Sequence, residues 1–336
     1  MKILFATHAF FPSVGGIETN ARVLAGEFTR LGHDVRLVTQ TPGAKADDFP
    51  YPVIRQPAAK QLIEQMKWCD AFYHHNISLA SAWPLLLRNR PWIISHRTWI
   101  TRPCGRLGWQ DRLKRAVLRA ATNISISRAI AEHLPVPSHV IGNPYQREVF
   151  HQLANVPRDK ELVFVGRLVP DKGLEVLLQA LVRLKGKGLK PHLTVIGSGP
   201  GEATAREFIQ STGLQSQVEL VGTKTGRELV YLLNQHRIMV VPSLWNEPFG
   251  VVALEGIACG CVVVGSEGGG LKDAIGPCGL TFPNGSDEAL ARALCELLTD
   301  PISLVVYRSA AREHLARHTP DKVARSYLQV FERALQ

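Results

Sequence analysis

Short, almost unbroken apolar runs recur along the chain, and between them lie stretches whose apolar residues return every three or four positions. "KILFAT" (2–7) opens the series and is followed by a Gly15-Gly16 turn. In "IETNARVLAGEFTRLG", Ile17, Ala21, Leu24, Phe28 and Leu31 share one helical face, and Gly32 is a C-terminal stop. "HDVRLVTQ" predicts the next strand, and "DAFYHHN", "PWIISH" and "NISIS" predict three more. Strand, glycine loop, helix and strand in this order begin a parallel α/β sheet.

The rhythm is clearer in the second half. "ELVFVGRL", "HLTVIGSG", "QVELVG", "RIMVVPS" and "CVVVGSE" are Val/Ile/Leu-rich runs, separated by helical stretches at about 173–187, 202–212, 226–235 and 249–259. Runs apolar at every position belong to strands buried on both faces. "IGNPYQREVFHQLANVPRDK" has the prolines and polar filling of a linker. The pattern predicts two doubly wound Rossmann-like α/β domains facing a cleft, with ligands beyond the carboxyl ends of the strands. The expected boundaries are 1–145 and 146–319.

Composition changes this picture little. A chain of 336 residues, 45% hydrophobic and 20% charged, is ordinary for a two-domain globular protein. No run reaches membrane-spanning length, and the N-terminal run, broken by Thr7 and His8, reads as a first strand rather than a secretion signal. The six cysteines form no CxxC pair, which points to reduced thiols and a cytoplasmic setting. Charge is more informative. Residues 1–150 hold nineteen Lys/Arg against ten Asp/Glu, whereas the remainder is nearly balanced. Between 88 and 128 there are ten basic residues and a single acid, Asp111.

Candidate chemistry lies in "PSLWNEPFGVVALEGIACG" (242–260), where Glu247 and Glu255 interrupt an otherwise core-like stretch. With Pro248 in the first turn, a helix beginning near Phe249 sets the two acids roughly 12 Å apart. The free N–H groups of Phe249, Gly250 and Val251 would form an anion site between them. Such a layout suits a nucleoside-diphosphate sugar, with Glu247 near the hexose and Glu255 on the ribose hydroxyls. The plain structural alternative is an N-terminal cap and a buried acid. In "VFVGRLVPDKG", Gly166 ends a strand, and Arg167 and Lys172 frame the following turn. Two cations there neutralise a diphosphate without a metal, or else lie solvated on a surface turn. Gly197 in "VIGSGPGE" and Gly222-Thr223 in "LVGTKTG" end neighbouring strands, while "GSEGGGLKDAI" offers close backbone approach to a sugar. The glycines of 197–201 fall short of a dinucleotide fingerprint, which argues against an oxidoreductase.

Taken in order, "PSVGGIE", "GRLVPDKG", "IGSG", "PSLWNEPFGVVALEG" and "GGGLKDAI" resemble the retaining GT-B glycosyltransferases of family 4 over nearly the whole chain. The resemblance implies a donor held by the C-terminal domain and an acceptor by the N-terminal one, with a last helix, about 320–336, returning to the first domain. It also implies that Arg167 and Lys172 hold the diphosphate, Glu255 the ribose and Glu247 the transferred sugar. Gly15 and Gly16 would face the donor phosphates. His96, at the end of "PWIISH", would face the sugar rather than serve as the acceptor's base. Departures from the family pattern are Gly256 for alanine, Asp273 for a longer acid and "GNPYQREVF" for the usual Asn-Gly linker.

The resulting expectation is a metal-independent retaining hexosyltransferase with no resident cofactor. It would use a UDP-sugar in preference to GDP and act on an envelope, lipid-linked or secondary-metabolite hydroxyl. Rivals are a GT-B epimerase or phosphorylase and a non-catalytic sugar-nucleotide or lipid-binding module. His75 and Asn76 either touch the acceptor or cap their strand. The basic amphipathic segment 97–119 is a solvated core helix, a contact for an anionic membrane leaflet, or a holder of acceptor phosphate. No nucleic-acid module accompanies it. The adjacent acids Asp47-Asp48 sit in a loop-like stretch, so no DxD element at a strand end suggests magnesium.

Overall fold

A computed structural model describes residues 1–13, 15–43, 48–101 and 108–336; Asp47, Cys104, Arg102 and Arg106 therefore lie outside the described residues. The chain divides into two compact units, residues 1–144 with 320–336, and residues 145–319. Each is an α/β unit built on a parallel sheet.

In the first unit the strands are β1 (Lys2–Thr7), β2 (Asp34–Thr39), β3 (Val53–Arg55), β4 (Ala71–His75), β5 (Trp92–His96), β6 (Thr122–Ser125) and β7 (His139–Val140). Their order is β3-β2-β1-β4-β5-β6-β7, all parallel. Successive residues of β1 serve opposite faces, as the pleat requires. Ile3 and Phe5 pack with Leu24 and Phe28 of the helix Gly16–Arg30 and with Tyr327 and Phe331 of the helix Pro320–Leu335. Leu4 and Ala6 pack on the other face with Leu62, Met66 and Ile94. Double-sided burial explains the absence of polar alternation in the run. Order reverses between β1 and β4, which places a switch point at their carboxyl ends.

The second unit contains β8 (Lys160–Val165), β9 (Leu193–Ile196), β10 (Val218–Leu220), β11 (His236–Val241), β12 (Val262–Ser266) and β13 (Gly279–Phe282), in the order β10-β9-β8-β11-β12-β13. One face carries Leu162, Phe164, Ile238, Val240, Val262 and Val264 against the helices Leu174–Gly186 and Asp287–Thr299. Here the switch point falls between β8 and β11. Among the described residues no helix is long and apolar enough to cross a membrane. None of Cys69, Cys259, Cys261, Cys278 and Cys295 is in a disulfide.

At the carboxyl ends of β8, β9 and β10 the backbones come almost into contact. Gly166 N–H donates to the Ile196 carbonyl, and Gly197 N–H to that of Gly222. A β-carbon at Gly197, whose φ is +147°, would stand 1.8 Å from the Gly166 oxygen. Gly197→Ala therefore combines strain with overlap and is expected to cost about 2–4 kcal/mol in denaturant unfolding. Gly188→Ala, also at positive φ but with open space around it, should cost only about 1 kcal/mol.

Candidate functional site

The switch point of the second unit is built from two loops, 166–173 after β8 and 242–250 after β11. They are locked together by backbone. The N–H groups of Leu244 and Trp245 both donate to the Asp171 carbonyl, at 2.9 and 3.3 Å. Gly173, in the left-handed region at φ +71°, lies so near Pro242 that a β-carbon would be 1.8 Å from its carbonyl oxygen. This contact brings two residues 75 positions apart together: Lys172 Nζ donates to Glu247 Oε1 at 2.5 Å, a pair largely withdrawn from solvent.

Glu247 is fixed from two further sides. Ser243 Oγ donates to the same Oε1 at 3.0 Å. The Glu247 backbone pairs with Gly269 and accepts from Gly270 N–H at 2.7 Å. The triple-glycine loop thus approaches the Glu247 backbone, a use of its small size that the sequence expectation gave to a sugar. Oε2 has no hydrogen-bond partner among the described residues, and of the three ammonium donors of Lys172 one is engaged. Arg167 is exposed, with no ion pair among the described residues. One paired cation, one exposed cation and one free carboxylate oxygen therefore stand at the same strand ends.

The helix that follows starts later than its sequence suggests. It spans Val251–Ala258, with Gly250 as N-cap in a left-handed conformation, φ +95°. Pro248 and Phe249 precede it, so they are not in its first turn, and the helical spacing between Glu247 and Glu255 does not apply. The free N–H groups at the start are those from Val251 onward, since a helix leaves its first N–H groups without intrahelical carbonyls. Phe249 is buried, its ring 5.6 Å from that of His318.

Glu255 lies on the second turn of this helix. Its side chain keeps some accessible surface, yet it is packed deeply enough that desolvation raises its pKa to about 7, and it has no hydrogen-bond partner among the described residues. Gly222, at φ +71°, and Thr223, whose Oγ1 lies 2.8 Å from Ser198 Oγ, line the neighbouring strand ends. Gly166, Gly197, Gly222, Arg167, Lys172, Glu247, Gly250 and Val251 all belong to the carboxyl edge of this one sheet. Among the described residues no three His, Cys, Asp or Glu side chains cluster as a metal site.

His96, Gly15 and Gly16 belong to the first unit. Gly15 caps the helix Gly16–Arg30, and a β-carbon at Gly16 would meet nothing within 4 Å. His96 departs from expectation. It ends β5 but is fully buried, and so presents no open edge to a sugar. Asn123 Nδ2 donates to the Leu118 and Ala121 carbonyls, which leaves its Oδ1 to accept from His96 Nε2 at 2.9 Å. Nδ1 is then an unpartnered lone pair, and burial lowers the ring's pKa to about 4, so it is neutral. His75 and Asn76 are neither open nor idle: both are tied to Arg97, a residue that the motif-based argument passed over.

The basic helix also differs from its prediction. Trp109–Val117 has no fully buried residue, and Trp109 and Leu113 are 68% and 46% exposed. A basic amphipathic helix would put Leu113 on the same apolar side as Val117 and Ala121; instead Leu113 faces solvent, while Val117 and Ala121 pack against the first unit's interior.

Comparison with known proteins identifies the family and the fold. The model of the family "Glycosyl transferases group 1" matches residues 146–314, half of the chain. The chain belongs to that family. Among curated relatives, a D-inositol 3-phosphate glycosyltransferase of Stackebrandtia nassauensis is 34% identical over 186 residues, 52% of this chain and 42% of its own length. One of Rhodococcus erythropolis is 32% identical over 184 residues, covering 51% and 41%. The matched part thus spans about two fifths of these relatives. Among solved structures, Anabaena Alr3699/HepE in complex with UDP superposes with a TM-score of 0.83 at 18% identity, covering 99% of this chain and all of that one. Sucrose-phosphate synthase from Thermosynechococcus elongatus gives 0.79 at 21%, covering 99% and 98%. These likenesses establish a GT-B glycosyltransferase fold of two Rossmann-like α/β units.

Glu255 yields a prediction with a definite sign. Its carboxyl titrates at its ordinary value of 4.5 when unfolded and at about 7 when folded. Folding therefore favours the protonated form, and the group erodes stability as pH rises from 4.5 through 7. Glu255→Gln should melt higher than wild type at pH 8, and the difference should vanish near pH 4.5. Paired thermal melts across this range check it.

Proposed function

We propose that this glycosyltransferase is a retaining, metal-independent enzyme that moves a hexose from a nucleoside-diphosphate sugar, UDP in preference to GDP, to a hydroxyl acceptor. The observation that carries this reading is the Lys172–Glu247 pair at the switch point. It holds a cation and an acid side by side where a diphosphate and its sugar would meet. Two unused Lys172 donors and the Arg167 fork would take the phosphate oxygens, and Glu247 Oε2 would accept from a sugar hydroxyl. The N–H groups from Val251 onward add partial positive charge, and Glu255 would accept from the ribose. Binding two ribose hydroxyls favours the ionised form of Glu255, so donor affinity would strengthen as pH rises through 7.

Charge on the departing diphosphate is the quantity to be stabilised as the glycosidic bond breaks. Arg167 and Lys172 face it without reorganisation, which is the larger electrostatic contribution. The diphosphate itself would take the acceptor's proton. The structural likeness to Anabaena HepE, solved with UDP, supports the preference for uridine.

For the basic segment 97–119 we favour contact with an anionic leaflet over a solvated face, because Trp109 and Leu113 stand exposed among Arg112, Lys114, Arg115 and Arg119. Each basic residue near such a surface contributes about 1 kcal/mol. The protein would then be cytoplasmic and peripheral at the membrane, near a lipid-linked or envelope acceptor.

Thermal shift against UDP-, GDP-, ADP- and dTDP-sugars tests the donor. A UDP-sugar at a hundred times its Kd should stabilise by about 2.7 kcal/mol, and no response to any of the four would refute the reading. Arg167→Ala and Lys172→Ala should each lower donor turnover about 10²–10³-fold, and Glu247→Ala should abolish donor hydrolysis. Sedimentation with phosphatidylserine-containing liposomes should weaken as salt rises; binding indifferent to salt refutes the membrane contact.

A further inference from the structure

Arg97, next to His96, is 5% exposed and has no carboxylate partner among the described residues. A buried guanidinium without an acid is costly, so its neutral partners matter. Nε donates to His75 Nδ1 at 3.2 Å, Nη1 to Asn143 Oδ1, and Nη2 to the Tyr327 hydroxyl at 3.0 Å. The Arg97 backbone N–H donates to Asn76 Oδ1 at 3.3 Å, helping to hold Asn76 in the left-handed region at φ +78°. Three segments therefore converge on this side chain at the end of β5. These are the end of β4, the residue before Pro144, and the C-terminal helix.

His75 carries the connection onward. Its Nε2 lies 3.2 Å from the Ile17 carbonyl, in the first turn of the helix that opens at Gly16. A carbonyl only accepts and a guanidinium N–H only donates, so the ring has one permitted form: Nε2 protonated, Nδ1 bare. A second proton would point at Arg97. Asn20 on the same helix donates to Asn143 Oδ1 at 3.5 Å, closing the circuit.

We propose that Arg97 is a positioning residue for the transfer reaction: its acid-free guanidinium locks His75 as the neutral Nε2–H tautomer and, through that ring and Asn143, sets the first turn of the helix at Gly15-Gly16. The effect on turnover rests on the function proposed above; the tautomer lock does not. The permanent charge adds to burial in opposing a second proton on His75, and its N–H, which can only donate, fixes Nδ1 as the acceptor. The titratable and charged groups facing His75 are Tyr73 on its own strand, 3.2 Å away, and Arg97, with Tyr327 one bond further. β1 offers only the Phe5 ring.

Long-range nitrogen–proton spectra of the ¹⁵N-labelled full chain, with His75 assigned by its loss in His75→Gln, test this directly. Wild-type His75 should remain the Nε2–H tautomer from pH 8 to 5. In Arg97→Met the His75 Nδ1 loses the guanidinium proton, so its nitrogen resonance should move toward that of an unbonded lone pair while burial still opposes protonation of the ring. In the same variant kcat/KM for the donor should fall about 10–100-fold. Arg97→Lys keeps the charge but not the fork, and should leave His75 neutral while recovering only part of the activity. An Nδ1–H or doubly protonated His75 in wild type overturns the proposal, and that measurement needs no variant to fold. So does an Arg97→Met protein whose His75 spectrum is unchanged. If wild type turns over none of the four nucleotide sugars, the functional reading fails while the spectra still decide the role of Arg97.

Discussion

Gly173 and the carbonyl of Pro242 touch in a way that only a residue without a β-carbon allows. The loops after β8 and β11 are thereby pressed into one surface, and the two N–H groups offered to the Asp171 carbonyl hold them there. Without that contact Lys172 and Glu247 would belong to independent turns. With it they form an ion pair whose unused donors and unused oxygen remain at the strand ends. The chemistry of the second unit is thus a consequence of backbone packing, and the side chains are placed by it.

The first unit reaches a comparable result by other means. At its switch point the organising group is a buried cation, Arg97, served by an imidazole, an amide and a phenol. Neutral partners leave the positive charge in place. Tyr327 links this cluster to Ser95 and to the C-terminal helix, so the end of the chain contributes to a site assembled near its beginning. The two units share a sheet plan but differ in what holds the carboxyl edge: close glycine contacts in one, a charged polar core in the other.

Burial divides the acids by role. Glu247 has a cation and a hydroxyl on one oxygen, whereas Glu255 has neither and is pushed toward neutrality. The same logic governs the histidines, since His74, His75 and His96 are all buried and all depressed by desolvation. They act as neutral, directional hydrogen-bonding groups rather than as charge carriers near pH 7.

Apolar periodicity by itself determined ten of the thirteen described strands, the nine interior ones and the edge strand β10, together with the long helices and the two-unit α/β plan, because a strand buried on both faces must be apolar at every position. It did not reveal β3, β7 and β13. Each lies at a sheet edge, is short, and buries too little to leave a continuous apolar run. Motif spacing placed Arg167, Lys172 and Glu247 at one sheet edge, since strand ends announce themselves in glycine and polar residues. It misplaced the helix start by two residues, because Gly250 takes a left-handed turn, and a β-carbon there would lie 2.5 Å from Leu271. The burial of His96, the exposure of Leu113 and the partners of Arg97 were likewise decided only by tertiary structure. Each depends on which distant segments come to lie beside it, and no local pattern of residues encodes that.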